Sequence, residues 1–192
     1  MSSFSESARI RGKLAAFLAV GLCICAVWSQ AAALGPKGKG KSKKDIDVLF
    51  SPNGGCTARI VKEIGRAKDA IRLQAFFFTS EPIADALVDA HERGVRVVAI
   101  FDKSQEKQRY SRLRILRRAG ITVKIDAKHA TANNKIILID NKTIMTGSLN
   151  FTKAAEEKNA ENLLIIKGYP RLFAEYLDNF ERHLEHSRDY SG

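Results

Sequence analysis

Cysteine, proline and membrane-length apolar runs are all scarce in this chain of 192 residues. Three cysteines occur, and two of them, Cys23 and Cys25, lie inside an N-terminal apolar run. That leaves Cys56 alone in the rest, so no internal disulfide framework can form there, and no Cys/His metal-ligand spacing is evident. Cys56 reads as a small buried apolar residue with no chemical role. Four prolines together with an apolar content of 45% exclude wholesale disorder. The apolar run "LAAFLAVGLCICAVW" from Leu14 to Trp28 carries no charge and is short for a stable membrane span. Acidic residues are outnumbered, giving a formal charge of +11. Acidic partners suit such a chain: nucleic acid, an anionic membrane surface or a phosphorylated substrate.

The apolar run has the flanks of a signal peptide. Arg9, Arg11 and Lys13 precede it, and "SQAAAL" follows with small residues suited to cleavage after Ala33. Leu22 before Cys23 is too large for a lipoprotein box. Residues 1–33 are therefore expected to direct export to the periplasm or the exterior, with an uncleaved N-terminal anchor as the alternative. Residues 34–44 contain "GPKGKGKSKK", in which glycine alternating with lysine cannot pack; this is a flexible tether or spacer. Five lysines lie in it, so much of the net charge sits outside the folded part.

From Asp45 onward strand-like and helix-like segments alternate. "DIDVLFS" reads as a strand and "NGGCTARIVKEIGRAK" as a helix with Ile60, Val61 and Ile64 on one face. "DAIRLQAFFFTS" reads as a strand, then "SEPIADALVDAHERG" as a helix with Ser80 as cap, Pro82 in its first turn and Gly94 after its end. "VRVVAIFD" is a buried strand, "SQEKQRYSRLRILRRAG" a basic helix closed by Gly120, and "ITVKID" a strand. Next come a hairpin, "NKIILID" and "TIMTG" around an Asn141-Lys142 turn, and the strand "AENLLIIKG". The chain closes on an amphipathic helix with Leu172, Phe173, Tyr176, Leu177, Phe180 and Leu184 on its buried side. The expected fold is one α/β domain over 45–192: a mainly parallel, mixed β-sheet flanked by helices on both faces.

Within the hairpin, Lys135, Asp140, Gly147, Ser148 and Asn150 follow the pattern K-x4-D-x6-G-S-x-N. This pattern, the surrounding "GSLNFTKAAEEKNAENLLII" and the order of elements resemble the phospholipase D superfamily, in particular its small exported endonuclease-like branch with one motif per chain. The resemblance covers residues 45–192. The family motif is H-x-K-x4-D-x6-G-[S/G], and here Asn133 stands where its histidine is expected. In the family one histidine attacks phosphorus and forms a phosphohistidine, while a second, from a partner half, protonates the leaving oxygen. Imidazole suits both tasks near neutral pH. An amide does neither, because its nitrogen lone pair is delocalised into the carbonyl.

The resemblance implies catalytic positions at Asn133, Lys135 and Glu161, the last orienting the residue at 133. It implies phosphate binding by Lys135, Ser148 and Asn150, and structural roles for Asp140 and Gly147. It calls for neither metal nor cofactor. A chain with one motif is expected to pair with a second copy, so that both catalytic groups would come from position 133. Substitution there removes both. His129 is the nearest histidine, about 13 Å upstream in an extended chain, and is a weak substitute on that distance. The expected activity is that of an endonuclease-type phosphodiesterase, with phospholipid as the other substrate class, impaired by Asn133. The alternative is a catalytically silent binder of phosphate or nucleic acid in the cell envelope.

Overall fold

A computed structural model describes residues 45–192; the expected signal peptide and tether lie outside the described residues. The sheet has eight strands: β1 (Asp45–Ser51), β2 (Ala70–Ala75), β3 (Arg96–Asp102), β4 (Thr122–Asp126), β5 (Lys135–Ile139), β6 (Thr143–Gly147), β7 (Glu161–Lys167) and β8 (Arg188–Asp189). Their spatial order is β1-β7-β6-β5-β2-β3-β4-β8. The α/β class, the mixed sheet and the helices on both faces agree with expectation. Among the eight strands, parallel pairing is confined to β2-β3-β4, and the other five pairings are antiparallel. The weight therefore falls on antiparallel pairs. Parallel neighbours need a helical crossover, and the second half of the chain supplies short turns instead.

Helices α1 (Cys56–Ile64), α2 (Glu81–Glu92) and α3 (Leu113–Arg118) pack on one face of the sheet, over Ile71, Leu73, Ala99, Phe101, Ile137 and Leu163. Cys56 is fully buried there, and burial raises its thiol pKa, so it stays protonated and inert. After the short α4 (Lys153–Glu157), the long α5 (Pro170–His186) covers the other face over Ile100, Ile136, Leu138 and Ile144. Phe173 and Phe180 are its buried anchors, with Leu172, Tyr176, Leu177 and Leu184 packed beside them. Among the described residues no helix is long and apolar enough to cross a membrane.

Three local expectations change. Ser80 occupies the cap position of α2 but makes no side-chain capping bond; the hydroxyl is buried. The basic segment is broken into a 3-10 turn (Lys103–Glu106), which Asp102 caps at Ser104 N, and the six-residue α3; Gln105 and Asp102 also accept from the distant Phe78 and Ala132 N–H groups. The hairpin turn is centred on Asp140 and Asn141 (φ 52° and 53°), one residue earlier than Asn141-Lys142, and closes with the Lys142 N–H on the Ile139 carbonyl at 3.0 Å. Asp and Asn tolerate the left-handed region where most residues do not.

Glu156 of α4 compensates for the missing cap on α1. Its carboxylate accepts from Gly55 N at 3.0 Å and Thr57 N at 2.7 Å, satisfying donors that the helix leaves open and placing an anion at its positive end.

Candidate functional site

Strands β2 and β6 end, and β5 and β7 begin, at one end of the sheet, which brings the residues flagged in the sequence to a common rim. Asn133 lies just before β5. Its approach is fixed from below: Asp102, buried at the end of β3, accepts from Ala132 N at 2.8 Å with one oxygen and from Ser104 N at 2.8 Å with the other. Asn134 O accepts from Phe76 N at 3.1 Å, tying the same segment to the end of β2.

Lys135 and Asn133 meet as strand alternation requires. The Lys135 ammonium donates to the Asn133 carbonyl at 2.8 Å and also to its side-chain oxygen, and it lies 5.5 Å from the Phe76 ring centroid. Burial lowers the Lys135 pKa, and the nearby Glu161 carboxylate opposes that shift. Glu161 itself accepts from Asn159 Nδ2 at 3.2 Å and makes no hydrogen bond to Asn133. Its reach towards position 133 is through the field on Lys135.

Ser148 and Asn150 follow the turn after β6. Ser148 Oγ accepts from Asn162 N at 3.0 Å, leaving its O–H free to donate outward. Asn150 Oδ1 is buried without a hydrogen-bond partner. Gly147 is required by close approach: a Cβ there would sit 2.1 Å from the Asn162 carbonyl oxygen. Asp140 is structural. Its carboxylate accepts from Lys68, Asp69 and Ala70 N–H groups at 2.9, 2.8 and 3.1 Å, clamping the hairpin turn to the start of β2.

An open cleft of about 420 Å³ at this rim is lined by Asn133, Lys135, Gly147, Leu172, Tyr176 and Asn179, among others. It lies between the strand ends and α5. Ser148, Asn150 and Glu161 are outside that lining, so only part of the expected phosphate set opens into one cleft. Chemically, the cleft offers the Lys135 cation with amide and hydroxyl groups beside it, an amide at 133, and the Glu175 carboxylate on the α5 side. That is equipment for holding an oxyanion.

The sequence pattern between residues 60 and 184 matches the family model for the cardiolipin synthase, phospholipase D-like domain. This chain belongs to the phospholipase D superfamily. It is 42% identical over 139 residues, 72% of this chain and 69% of the other, to a phospholipase D of Rickettsia conorii. It is 36% identical over 127 residues to the mitochondrial cardiolipin hydrolase of Mus musculus, covering 65% of this chain and 56% of that protein. The crystal structure of Nuc, a phospholipase D family member from Salmonella typhimurium, aligns with a TM-score of 0.74 at 35% identity over 78% of this chain and 99% of that one. A phosphodiesterase scaffold of this superfamily is thereby established.

Three histidine placements were not legible in the sequence. His129 does not turn towards Asn133: its Nδ1 lies 2.9 Å from Asp126 Oδ2 and its ring stacks on His183 with centroids 4.8 Å apart. His186 joins them, 3.3 Å from the same oxygen. Asp126, His129, His183 and His186 thus gather one candidate ligand atom each within 4.8 Å of one another, a grouping that the linear spacing does not reveal. The only linear signal was the pair of three-residue spacings D-x2-H and H-x2-H, far apart in the chain.

Proposed function

We propose that this chain is an exported, homodimeric phosphodiester-binding protein on an endonuclease-type scaffold, with turnover impaired at position 133. Nucleic acid is its first substrate class and anionic phospholipid its second. One observation carries the reading: the Asn133 amide occupies the place of the motif histidine and takes a hydrogen bond from Lys135, the cation meant for phosphate. The amide can imitate one imidazole contact. It cannot attack phosphorus or carry a proton.

Lys135 then serves as a point charge for a phosphate oxygen, with Ser148 and Asn150 as further donors and Glu161 sustaining the charge on Lys135. The basic residues Arg114, Arg117 and Arg118 of α3 add a surface that favours a polyanion.

A second copy fits the face that carries the cleft. The side chains of Ile46, Val48 and Phe50 on the edge strand β1 point to the α5 side and are 53%, 49% and 63% exposed. An edge strand with an uncovered apolar stripe calls for a cover, and a one-motif chain calls for a second motif.

The test is hydrolysis of plasmid and of bis-(p-nitrophenyl) phosphate, with chelator present and well below the unfolding temperature, by this chain and by Asn133→His. Turnover by the variant alone supports the proposal. Turnover by both overturns the account of position 133, and turnover by neither overturns the substrate class.

A further inference from the structure

At the C-terminal end of β4 a fully buried carboxylate, Asp126, is surrounded by three imidazoles. His129 follows three residues later in the loop, and His183 and His186 lie one turn apart at the end of α5. His129 Nδ1, His183 Nδ1 and His186 Nε2 lie 2.9, 2.7 and 3.3 Å from the same atom, Asp126 Oδ2. The four candidate ligand atoms all fall within 4.8 Å of one another. The three rings approach to centroid distances of 4.8, 5.2 and 5.2 Å.

Hydrogen bonding alone leaves this group incompletely satisfied. Three ring nitrogens converge on one oxygen, and His186 Nε2, buried and near Oδ2, has no hydrogen bond. Buried polar nitrogens are rarely left so. A buried carboxylate also balances only one imidazolium, so at most one ring is compensated as a cation. The other Asp126 oxygen, Oδ1, accepts from Lys128 N at 3.1 Å and His129 N at 3.4 Å, and His129 Nδ1 also lies 3.1 Å from it. The carboxylate is thus held with Oδ2 presented to the rings, the arrangement that outer hydrogen bonds impose on metal-ligating carboxylates.

We propose that Asp126, His129, His183 and His186 form a binding site for one borderline divalent cation, Zn²⁺ foremost. Three imidazole nitrogens and one carboxylate oxygen make a tetrahedral N3O donor set. Zn–N bonds of about 2.0–2.1 Å place such ligands roughly 3.3–3.4 Å apart. The present spacings from Oδ2 are slightly shorter, so small side-chain rotations admit the ion. With four protein ligands the site is closed, which makes it structural and not hydrolytic. Its mechanical effect follows from what it joins. The last turn of α5, the helix lining the cleft, becomes tied to the 127–134 loop, which delivers Asn133 and whose other buried anchor is Asp102.

The experiment uses the full chain without a histidine tag, stripped with chelator and dialysed at neutral pH. Zn²⁺ is added in a calorimetric titration, and Co²⁺ in parallel for its visible absorption. One equivalent of Zn²⁺ is expected to bind, with a tetrahedral Co²⁺ spectrum and a melting temperature higher by roughly 5–10 °C at hundredfold excess over Kd. His129→Asn and His186→Gln should each weaken binding by more than about 100-fold, beyond the cost of losing an outer partner. The His129 side chain is 43% exposed in a loop, so its variant should melt with the stripped parent when no metal is present. Failure of the parent to take up Zn²⁺ overturns the proposal. So does uptake that both variants retain, which would place the ion elsewhere in the chain.

Discussion

Lys135 spends its ammonium on Asn133, donating to that residue's backbone oxygen at 2.8 Å and to its side-chain oxygen as well. The contact couples the cation of the rim to the position where the superfamily mechanism would need a nucleophile. Asn133→His exchanges the amide for an imidazole that can attack and titrate. Turnover of bis-(p-nitrophenyl) phosphate should rise by at least about 10²-fold, the lower end of what a positioned acid-base group contributes.

Lys135→Met removes that cation while keeping much of the stem that packs near Phe76. Binding of a short labelled duplex should weaken. The slope of log affinity against log salt should flatten by about 0.9, the signature of one lost phosphate contact. Fluorescence anisotropy across a salt series measures both. An unchanged slope would show that Lys135 does not touch the polyanion.

Asp140 predicts an acid-sensitive clamp. Burial raises its pKa, but the three backbone N–H donors from Asp69, Ala70 and Lys68 together hold it below the usual carboxylate range. A depressed folded-state pKa means that the unfolded chain binds the proton more readily, so this contribution is full above the unfolded carboxylate pKa. It is lost as pH falls through the lower folded value. Asp140→Ala should cost about 1.5–3 kcal/mol at neutral pH, and the difference from the parent should shrink below about pH 4. Urea denaturation at several pH values checks the sign.

Gly147→Ala places a methyl group 2.1 Å from the Asn162 carbonyl oxygen. That oxygen belongs to the backbone where β7 pairs with β6, so it cannot rotate away. The expected loss is about 1–3 kcal/mol, as for overpacking elsewhere, read as a lower urea midpoint with little change in slope.

Phe50→Glu puts a charge on the exposed stripe of β1 without touching the interior, because Phe50 is 63% exposed. Sedimentation should show the parent as a dimer and the variant shifted towards monomer. Its monomeric melting behaviour should be nearly unchanged. A parent that sediments as a monomer at all concentrations would remove the two-copy site.

Most of the sheet, its two-sided helical cover and the rim bearing Lys135, Ser148 and Asn150 could be read from the chain alone. Those features rest on local periodicity, Gly and Pro punctuation and a motif of fixed spacing within one hairpin. Apolar Ile136 to Ile139 can form little but a buried strand, whereas the hairpin turn expected at Asn141-Lys142 is centred one residue earlier, on Asp140 and Asn141. The balance of parallel and antiparallel pairing was less legible, because pairing depends on which strands become neighbours. The break in the basic segment escaped local reading for a similar reason: Gln105 and Asp102 satisfy backbone groups of Phe78 and Ala132, well removed in the chain. The fate of the histidines depends on how the chain folds back on itself. His129 is close to Asn133 in sequence, yet the fold turns it away, because α5 returns across the sheet and brings His183 and His186 against Asp126. Convergence of groups so widely separated is a property of topology, and no local pattern of residues encodes it.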